Sequence, residues 1–373
     1  MAGKRIRVGI IGVNPELGWA KRAHVPALRA LPEQYELTAV GTSRIESARA
    51  AAQHFGVEHA FADARALAEH PEVDLVVVTV KVPAHLELVQ AAVAAGKHVY
   101  CEWPLSRTTE EAARLAAAAE AAGVHHALGL QARYAPAVLR ARALVADGYL
   151  GDLLAVTVHA SRAKGAGARL PQWAAYTLDR WYGAGTLEVA GGHTLDAVQQ
   201  LAGPVEHLAA TLAVRQDRYL VPETGATVEA TTPDQLVISG TLAGGATLSA
   251  HVQDARPAGA GTRVELTGSA GVLVLESTGP AGPSGIQMGG LRLLGGRLGE
   301  DLVELPLDRE LFAVDPAATG VEGFHVGQLY ARLAADLRSG GRSVPDFGAG
   351  LALHRLLDAV RSADATGARV TVG

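Results

Sequence analysis

Residues Leu75–Val80 read Leu-Val-Val-Val-Thr-Val, a β-branched and almost wholly apolar run of strand length. A strand buried on both faces needs such a run, because neither of its sides meets water. Helices layered on both faces of a parallel sheet bury a strand in this way. The flanking sequence agrees. Ile6–Ile11 is a second short apolar run, leading into Gly12, and Leu37–Val40 is a third. Helical patterns occupy Ile45–Phe55 and Ala84–Ala95, the latter stopped by Gly96. Thr108–Thr109–Glu110–Glu111 has the form of a capping box opening an Ala-rich helix that ends at Gly123. This alternation predicts a doubly wound α/β domain of dinucleotide-binding type over residues 1–127.

Beyond it the texture changes. A strand (His126–Leu130) and a helix (Ala135–Asp147) lead into a strand-like segment, Leu153–Ser161. Leu236–Thr241 and Thr247–Gln253 then flank Gly244–Gly245, and Arg263–Thr267 and Val272–Leu275 flank Gly268–Gly271, both hairpin signals. Helical periodicity returns at Val326–Arg338 and Leu351–Asp364, and Gly279–Gly290 reads as a mobile loop. Residues 128–373 are thus predicted to form an α+β domain, an open and mainly antiparallel sheet with helices on one face. Substrate binding and oligomerisation are assigned to it.

Composition narrows the function. A net charge of −5 and the lack of a Lys/Arg-rich tract leave out a nucleic-acid footprint. The Leu75–Val80 run is far short of a membrane span, and Met1–Arg7 leads into a strand and not a signal peptide. One cysteine, Cys101, suits a reducing cytoplasm. No Cys or His pair has metal-ligand spacing, so no metal is expected.

Candidate chemistry begins at the turn after the first strand. Gly12 and Gly18 bracket Val13 and Asn14, with Asn14 where a dinucleotide turn usually has its second glycine, and Trp19 follows. Asn tolerates left-handed backbone better than most residues, so the turn can survive. At the end of the second strand Ser43 and Arg44 stand where an acid would accept from the ribose 2′-hydroxyl of NAD. A cation and a hydroxyl there fit a 2′-phosphate, so NADP is expected ahead of NAD. Val80, Lys81 and His85 follow the apolar strand. Trp173, Tyr176, Trp181 and Tyr182 cluster in a chain only 5% aromatic, either as a sugar-stacking wall or as packing. His193 and Asp196 share a face if a helix has begun there.

Several of these segments resemble one family. Gly96–Leu105 (Gly-Lys-His-Val-Tyr-Cys-Glu-Trp-Pro-Leu) resembles the "GKHV-x-x-E-K-P" signature of the glucose–fructose oxidoreductase/inositol dehydrogenase (Gfo/Idh/MocA) family, with Trp103 in place of the signature's catalytic lysine. Val80–His85 resembles the family's "T-P-N-x-x-H", and Gly191–Asp196 resembles its "G-x-H-x-x-D". Arg133–Pro136 with Gly148–Gly151 resembles its hinge. The departures resemble the branch containing the fungal galactose-regulon repressor.

The resemblance implies an NAD(P)-dependent oxidoreductase moving a hydride between nicotinamide and a sugar hydroxyl or keto carbon. It implies cofactor contacts from Gly12, Val13, Asn14, Gly18, Trp19, Ser43, Arg44, Val80, His85, Glu102, Trp103 and Pro104. His193 takes the acid/base role, and Tyr176, Tyr182 and Lys81 are candidate stand-ins for the missing lysine. Gln131, Arg133, Trp173, Trp181 and Asp196 are expected at the substrate. The family's aspartate four residues before the histidine is Val189 here, and Glu188 lies one residue out of register. In an extended turn that slip points Glu188 away. A homodimer or homotetramer is expected. Two other readings stay open: a dinucleotide- or sugar-binding regulator without turnover, and a lyase- or epimerase-like enzyme that recycles a tightly held cofactor.

Overall fold

In the computed structural model, which describes residues 4–278 and 285–373, six parallel strands carry the first part of the chain. They are β1 (Ile6–Ile11), β2 (Tyr35–Gly41), β3 (His59–Phe61), β4 (Leu75–Val78), β5 (His98–Cys101) and β6 (His126–Leu128), in the order β3-β2-β1-β4-β5-β6. Every residue of β4 is buried, as its composition predicts. The order reverses direction between β1 and β4, and ligands of such sheets bind outside the carboxyl ends of the strands at that point. The linking helices are α1 (Val25–Arg29), α2 (Ile45–Phe55), α3 (Ala64–Glu69), α4 (His85–Ala94) and α5 (Thr109–Ala122). At the start of α5 the Thr108 hydroxyl accepts from the Glu111 amide (3.2 Å), and Gly123 closes the helix at φ +66°. Before α1, residues Ala20–His24 wind as a π-helical turn.

This unit comprises residues 1–131 and 312–352. In its later stretch the helix Pro316–Ser339 packs on α1, and Tyr330 stacks on Tyr100 at 5.0 Å between ring centroids.

The second unit comprises residues 132–311 and 353–373. It holds α6 (Pro136–Ala146), β7 (Leu153–Ser161), α7 (Gly192–Ala202) and β8 (Val205–Ala213). A small two-stranded sheet pairs β9 (Arg218–Val221) with β10 (Ala226–Glu229). Five more strands follow: β11 (Gln235–Leu242), β12 (Thr247–Gln253), β13 (Gly261–Gly268), β14 (Gly271–Thr278) and β15 (Gly290–Arg297). With the short β16 (Val303–Glu304) and β17 (Val370–Thr371) they form a nine-stranded sheet, β16-β15-β14-β13-β7-β12-β11-β8-β17. Both expected hairpins are present. The pairing is antiparallel except between β7 and β12, where Ser161 lies beside Gln253. That parallel pair brings the carboxyl ends of two strands distant in sequence to one edge. Of the expected loop 279–290, Gly279–Ser284 lies outside the described residues.

Alternation buries one face of the sheet, and α6 and α7 pack on it. The other face differs from the apolar surface an oligomer contact suggests. It carries Thr157, Ser239, Ser249 and an ion-pair ladder of Arg263, Glu276 and Arg292, with Val237 exposed among them. Polar residues alternating with apolar ones are the reason: they let this face meet water.

Candidate functional site

The turn after β1 is built around Gly12, whose φ of +99° glycine adopts without strain. A Cβ there would lie 2.6 Å from the Val80 side chain. The Asn14 side-chain oxygen accepts from the Glu16 and Leu17 amides (2.8 and 3.2 Å), which shapes the longer loop. Gly18, at φ +100°, returns the chain to the π turn. Trp19, half-buried, keeps an indole N–H that is buried without an acceptor. The first turn bears no acid. Val13 is buried, while Ser43 and Arg44 stand exposed after β2. A glycine cradle, an orphaned donor and an exposed cation fit a dinucleotide's phosphates. Those residues would hold the cofactor, which supplies hydride exchange when bound.

The signature segment leaves β5 at the same edge. Glu102 is held by His24, whose Nε2 lies 2.9 Å from Oε1, while the Tyr330 hydroxyl lies 2.7 Å from His24 Nδ1. The imidazole thereby bridges the signature carboxylate and the Tyr330 hydroxyl. Gly129 packs on the same carboxylate, leaving no room for a Cβ. Sequence reasoning missed His24 and Tyr330, because nothing local links them to Glu102. His85 is buried, 3.0 Å from the Val80 carbonyl and 2.9 Å from that of Pro104. It ties the end of β4 to the signature loop. Burial pushes its pKa down, against the pull of those carbonyls. Trp103 and Pro104 are buried, and Lys81 is exposed. Gln131 is buried with its side-chain oxygen unpartnered.

In the second unit His193 opens α7 and is 4% exposed. Its Nδ1 has no hydrogen-bond partner. Burial, reinforced by the Arg162 cation, pushes its pKa down to about 3, so the imidazole is neutral at ordinary pH. Asp196 is paired with Arg133 through contacts of 2.6 to 3.2 Å. Burial nonetheless raises the carboxyl's pKa. These two expected substrate residues thus meet each other. Residues Leu187–Gly191 are not an extended turn but a π-helical one running into α7. In such a turn bonds span five residues, so Glu188 lies one turn before His193. Its carboxylate accepts from Arg361 at 2.7 Å.

The residues that sequence reasoning missed here follow β7 and β12. Arg162 grips Asp254 with two bonds of 2.6 and 2.7 Å, and Thr186 donates to the same carboxylate at 2.7 Å. The Lys164 ammonium lies 3.9 Å from it. Burial works to raise the Asp254 pKa, but Arg162 and Lys164 outweigh it and hold the carboxyl below its ordinary range. Burial and the neighbouring Arg162 lower Lys164 to about 8. Lys164, Thr186, Tyr219, Thr232, Asp234 and Asp254 line a polar recess. The signal was faint: two cations, Arg162 and Lys164, at a strand end before Gly165.

Of the aromatic cluster, Trp173 and Trp181 are 61% and 56% exposed, so packing does not account for the indoles. Tyr182 is half-buried and contacts Tyr176 and Trp181 edge-on at 5.4 and 5.0 Å. Where no metal-ligand spacing is legible in sequence, β3 and the end of α3 bring ligating atoms of His59, His70 and Glu72 within 4.8 Å of one another. Among the described residues no helix is long and apolar enough to cross a membrane.

Residues 6–130 match the oxidoreductase family with an NAD-binding Rossmann fold, and residues 136–277 match the Gal80p C-terminal domain. The first domain is thus similar to the NAD-binding domain of the Gfo/Idh/MocA oxidoreductases. The second is similar to the carboxyl-terminal domain of Gal80p. It is 37% identical over 215 residues to the dehydrogenase aclE of Aspergillus oryzae, covering 54% of this chain and 56% of that protein. It is 27% identical over 289 residues to the galactose/lactose metabolism regulatory protein GAL80 of Saccharomyces cerevisiae, covering 73% and 66%. The match thus spans less than two thirds of either relative's length. A structure of levoglucosan dehydrogenase with NADH and levoglucosan shares the fold at a TM-score of 0.83 and 22% identity, covering 99% of this chain and 100% of that one.

Proposed function

We propose that the protein is an NAD(P)-dependent oxidoreductase that moves a hydride between nicotinamide and a hydroxyl- or keto-bearing carbon of a sugar or sugar derivative. His193 carries this reading: a buried, neutral imidazole whose Nδ1 is unpartnered can accept a substrate hydroxyl proton. The dehydrogenase relative and the sugar-bound family member support the reaction and substrate class. Trp173 and Trp181 offer exposed faces for a sugar ring, and Arg133 with Asp196 fixes the first turns of α7. Tyr182 and Lys81 serve as further proton carriers. A hydride-transfer screen across sugars, with NAD(H) and NADP(H), tests the reading; no transfer with any sugar removes it.

We infer further that NADP(H) binds more tightly than NAD(H), because Ser43 and Arg44 end β2 where an acid is absent. Arg44→Asp should reverse the preference in calorimetric titration. A preference unchanged by that substitution sinks the idea. The charge-paired open face of the second unit's sheet is proposed as a homo-oligomer contact, polar in character. Light scattering at micromolar concentration should show a dimer or tetramer, and a monomer counts against it. The buried thiol of Cys101 suits a reducing cytoplasm.

A second reading, a regulator that binds a dinucleotide or sugar without turnover, is favoured by Trp103 in place of the signature lysine and by the GAL80 relative. Cofactor binding without hydride transfer would select it. Cofactor that survives purification and is regenerated in each turnover would select a lyase- or epimerase-like enzyme.

A further inference from the structure

We infer that His59, His70 and Glu72 form a zinc site at the edge of the first unit's sheet, a clamp that ties β3 to the turn before β4. One ligating atom from each lies within 4.8 Å of the other two. The cluster stands at the amino ends of the strands: His59 is the first residue of β3, and Glu72 shortly precedes β4. Gly12 and the signature segment follow the carboxyl ends of β1 and β5, so this site is separate from theirs.

Two of the ligands ride on one braced turn. His70 closes α3, and its carbonyl accepts from the Val73 amide (3.2 Å) and the Lys97 ammonium (3.2 Å). Pro71 follows and fixes its own φ. The Glu72 carbonyl accepts from the Thr38 hydroxyl at 2.7 Å, and the Glu72 amide donates to His70 Nδ1 at 3.3 Å. The third ligand comes from a strand that needs holding. β3 has three residues, lies at the edge of its sheet and is paired with β2 alone. A segment with so few ladder bonds opens readily unless something else secures it.

An ordinary surface ion pair explains only part of this arrangement. His59 Nε2 lies 2.6 Å from Glu72 Oε2, and a half-exposed pair adds little to stability. It also leaves the second imidazole without a reason. The His70 ring stands 4.2 Å from that of His59, centroid to centroid, with the Phe61 ring 5.4 Å away. The hydrogen bond from His59 holds the Glu72 carboxyl below its ordinary range, which keeps it a carboxylate. Arg7, which also bears on Glu72, is engaged by Asp74 through bonds of 2.7 and 2.9 Å and does not compete for it. Two imidazoles and a carboxylate suit Zn²⁺, whereas Mg²⁺ and Ca²⁺ take oxygen ligands. Zinc bonds of about 2.0–2.2 Å set donors roughly 3.3 Å apart around a tetrahedron. Rotation of the exposed Glu72 side chain closes the span to that value. Zn²⁺ replaces the proton between His59 and Glu72, which passes to water, and a water molecule fills the fourth position.

The test is calorimetric titration of the chelator-treated full chain with ZnCl₂. Zinc should bind with a Kd tighter than about 100 μM. At 100-fold over that Kd it should raise the unfolding midpoint by about 3–6 °C. His70→Ala and Glu72→Gln should each weaken binding by at least about tenfold and abolish the shift. MgCl₂ should give neither signal. The chain has 14 histidines, so an ion bound elsewhere is the rival outcome. Zinc affinity unchanged in both variants would place the ion there and overturn the site. A wild-type Kd weaker than about 100 μM, an adventitious ion only, overturns it as well. An anomalous difference map at the zinc edge, from wild-type crystals grown with ZnCl₂, decides without any variant. A peak among the three residues supports the site, and a map lacking one there overturns it.

Discussion

Asp254→Ala should destabilise the second unit by about 3–5 kcal/mol, the range for removing one partner of a buried ion pair. Arg162 is the cause. Its guanidinium is 10% exposed and directs two short bonds at Asp254, and no other acid is paired with it among the described residues. Removing the carboxylate leaves that cation buried, and the Thr186 hydroxyl loses its acceptor. The neighbouring Lys164 ammonium then faces Arg162 without an intervening negative charge. Replacing both partners, Arg162→Met with Asp254→Leu, should be markedly milder, because an apolar pair removes the desolvation cost together with the attraction. Urea unfolding of the single and double variants measures the difference. A single variant within about 1 kcal/mol of wild type would contradict this account of the cluster, since a truly buried pair cannot be halved so cheaply.

The contrast between this cluster and the first unit explains what sequence could reveal. The parallel sheet was legible because its signals are local. An apolar run over Leu75–Val80, a Thr108–Glu111 capping pattern and helix-stopping glycines at Gly96 and Gly123 each act within a few residues. The glycine turn after β1 was legible for the same reason. The Lys164–Asp254 cluster was not, because it depends on the parallel pairing of β7 with β12, and no local pattern announces which distant strand becomes a neighbour. The Glu102–His24–Tyr330 chain was hidden in the same way. Glu188 shows a third cause. A one-residue offset reads as a change of direction in an extended segment, whereas a π turn absorbs the extra residue.

His193→Ala should lower turnover by 10²- to 10⁴-fold while leaving dinucleotide affinity nearly unchanged. The two effects separate because the glycine turn at Gly12 and Gly18 belongs to the first unit and His193 to the second. The same residue makes a prediction that needs no substrate. Its pKa falls from an ordinary value near 6.5 to about 3 in the folded chain, through burial first and the Arg162 cation second. Between those values the unfolded chain binds the proton and the folded chain does not. Stability attributable to His193 is therefore complete above about pH 6.5 and declines as pH falls toward 3, by up to about 1.4 kcal/mol per pH unit. His193→Ala leaves a cavity and lowers stability at pH 7, but it removes this proton uptake, so its acid limb should be shallower than that of wild type. Parallel limbs from pH 7 to 4 would mean that the imidazole gains protons in the folded state, and its role as a neutral acceptor at Nδ1 would fall. A shallower limb without loss of turnover would keep the buried neutral histidine and pass its acid/base role to a tyrosine or Lys81.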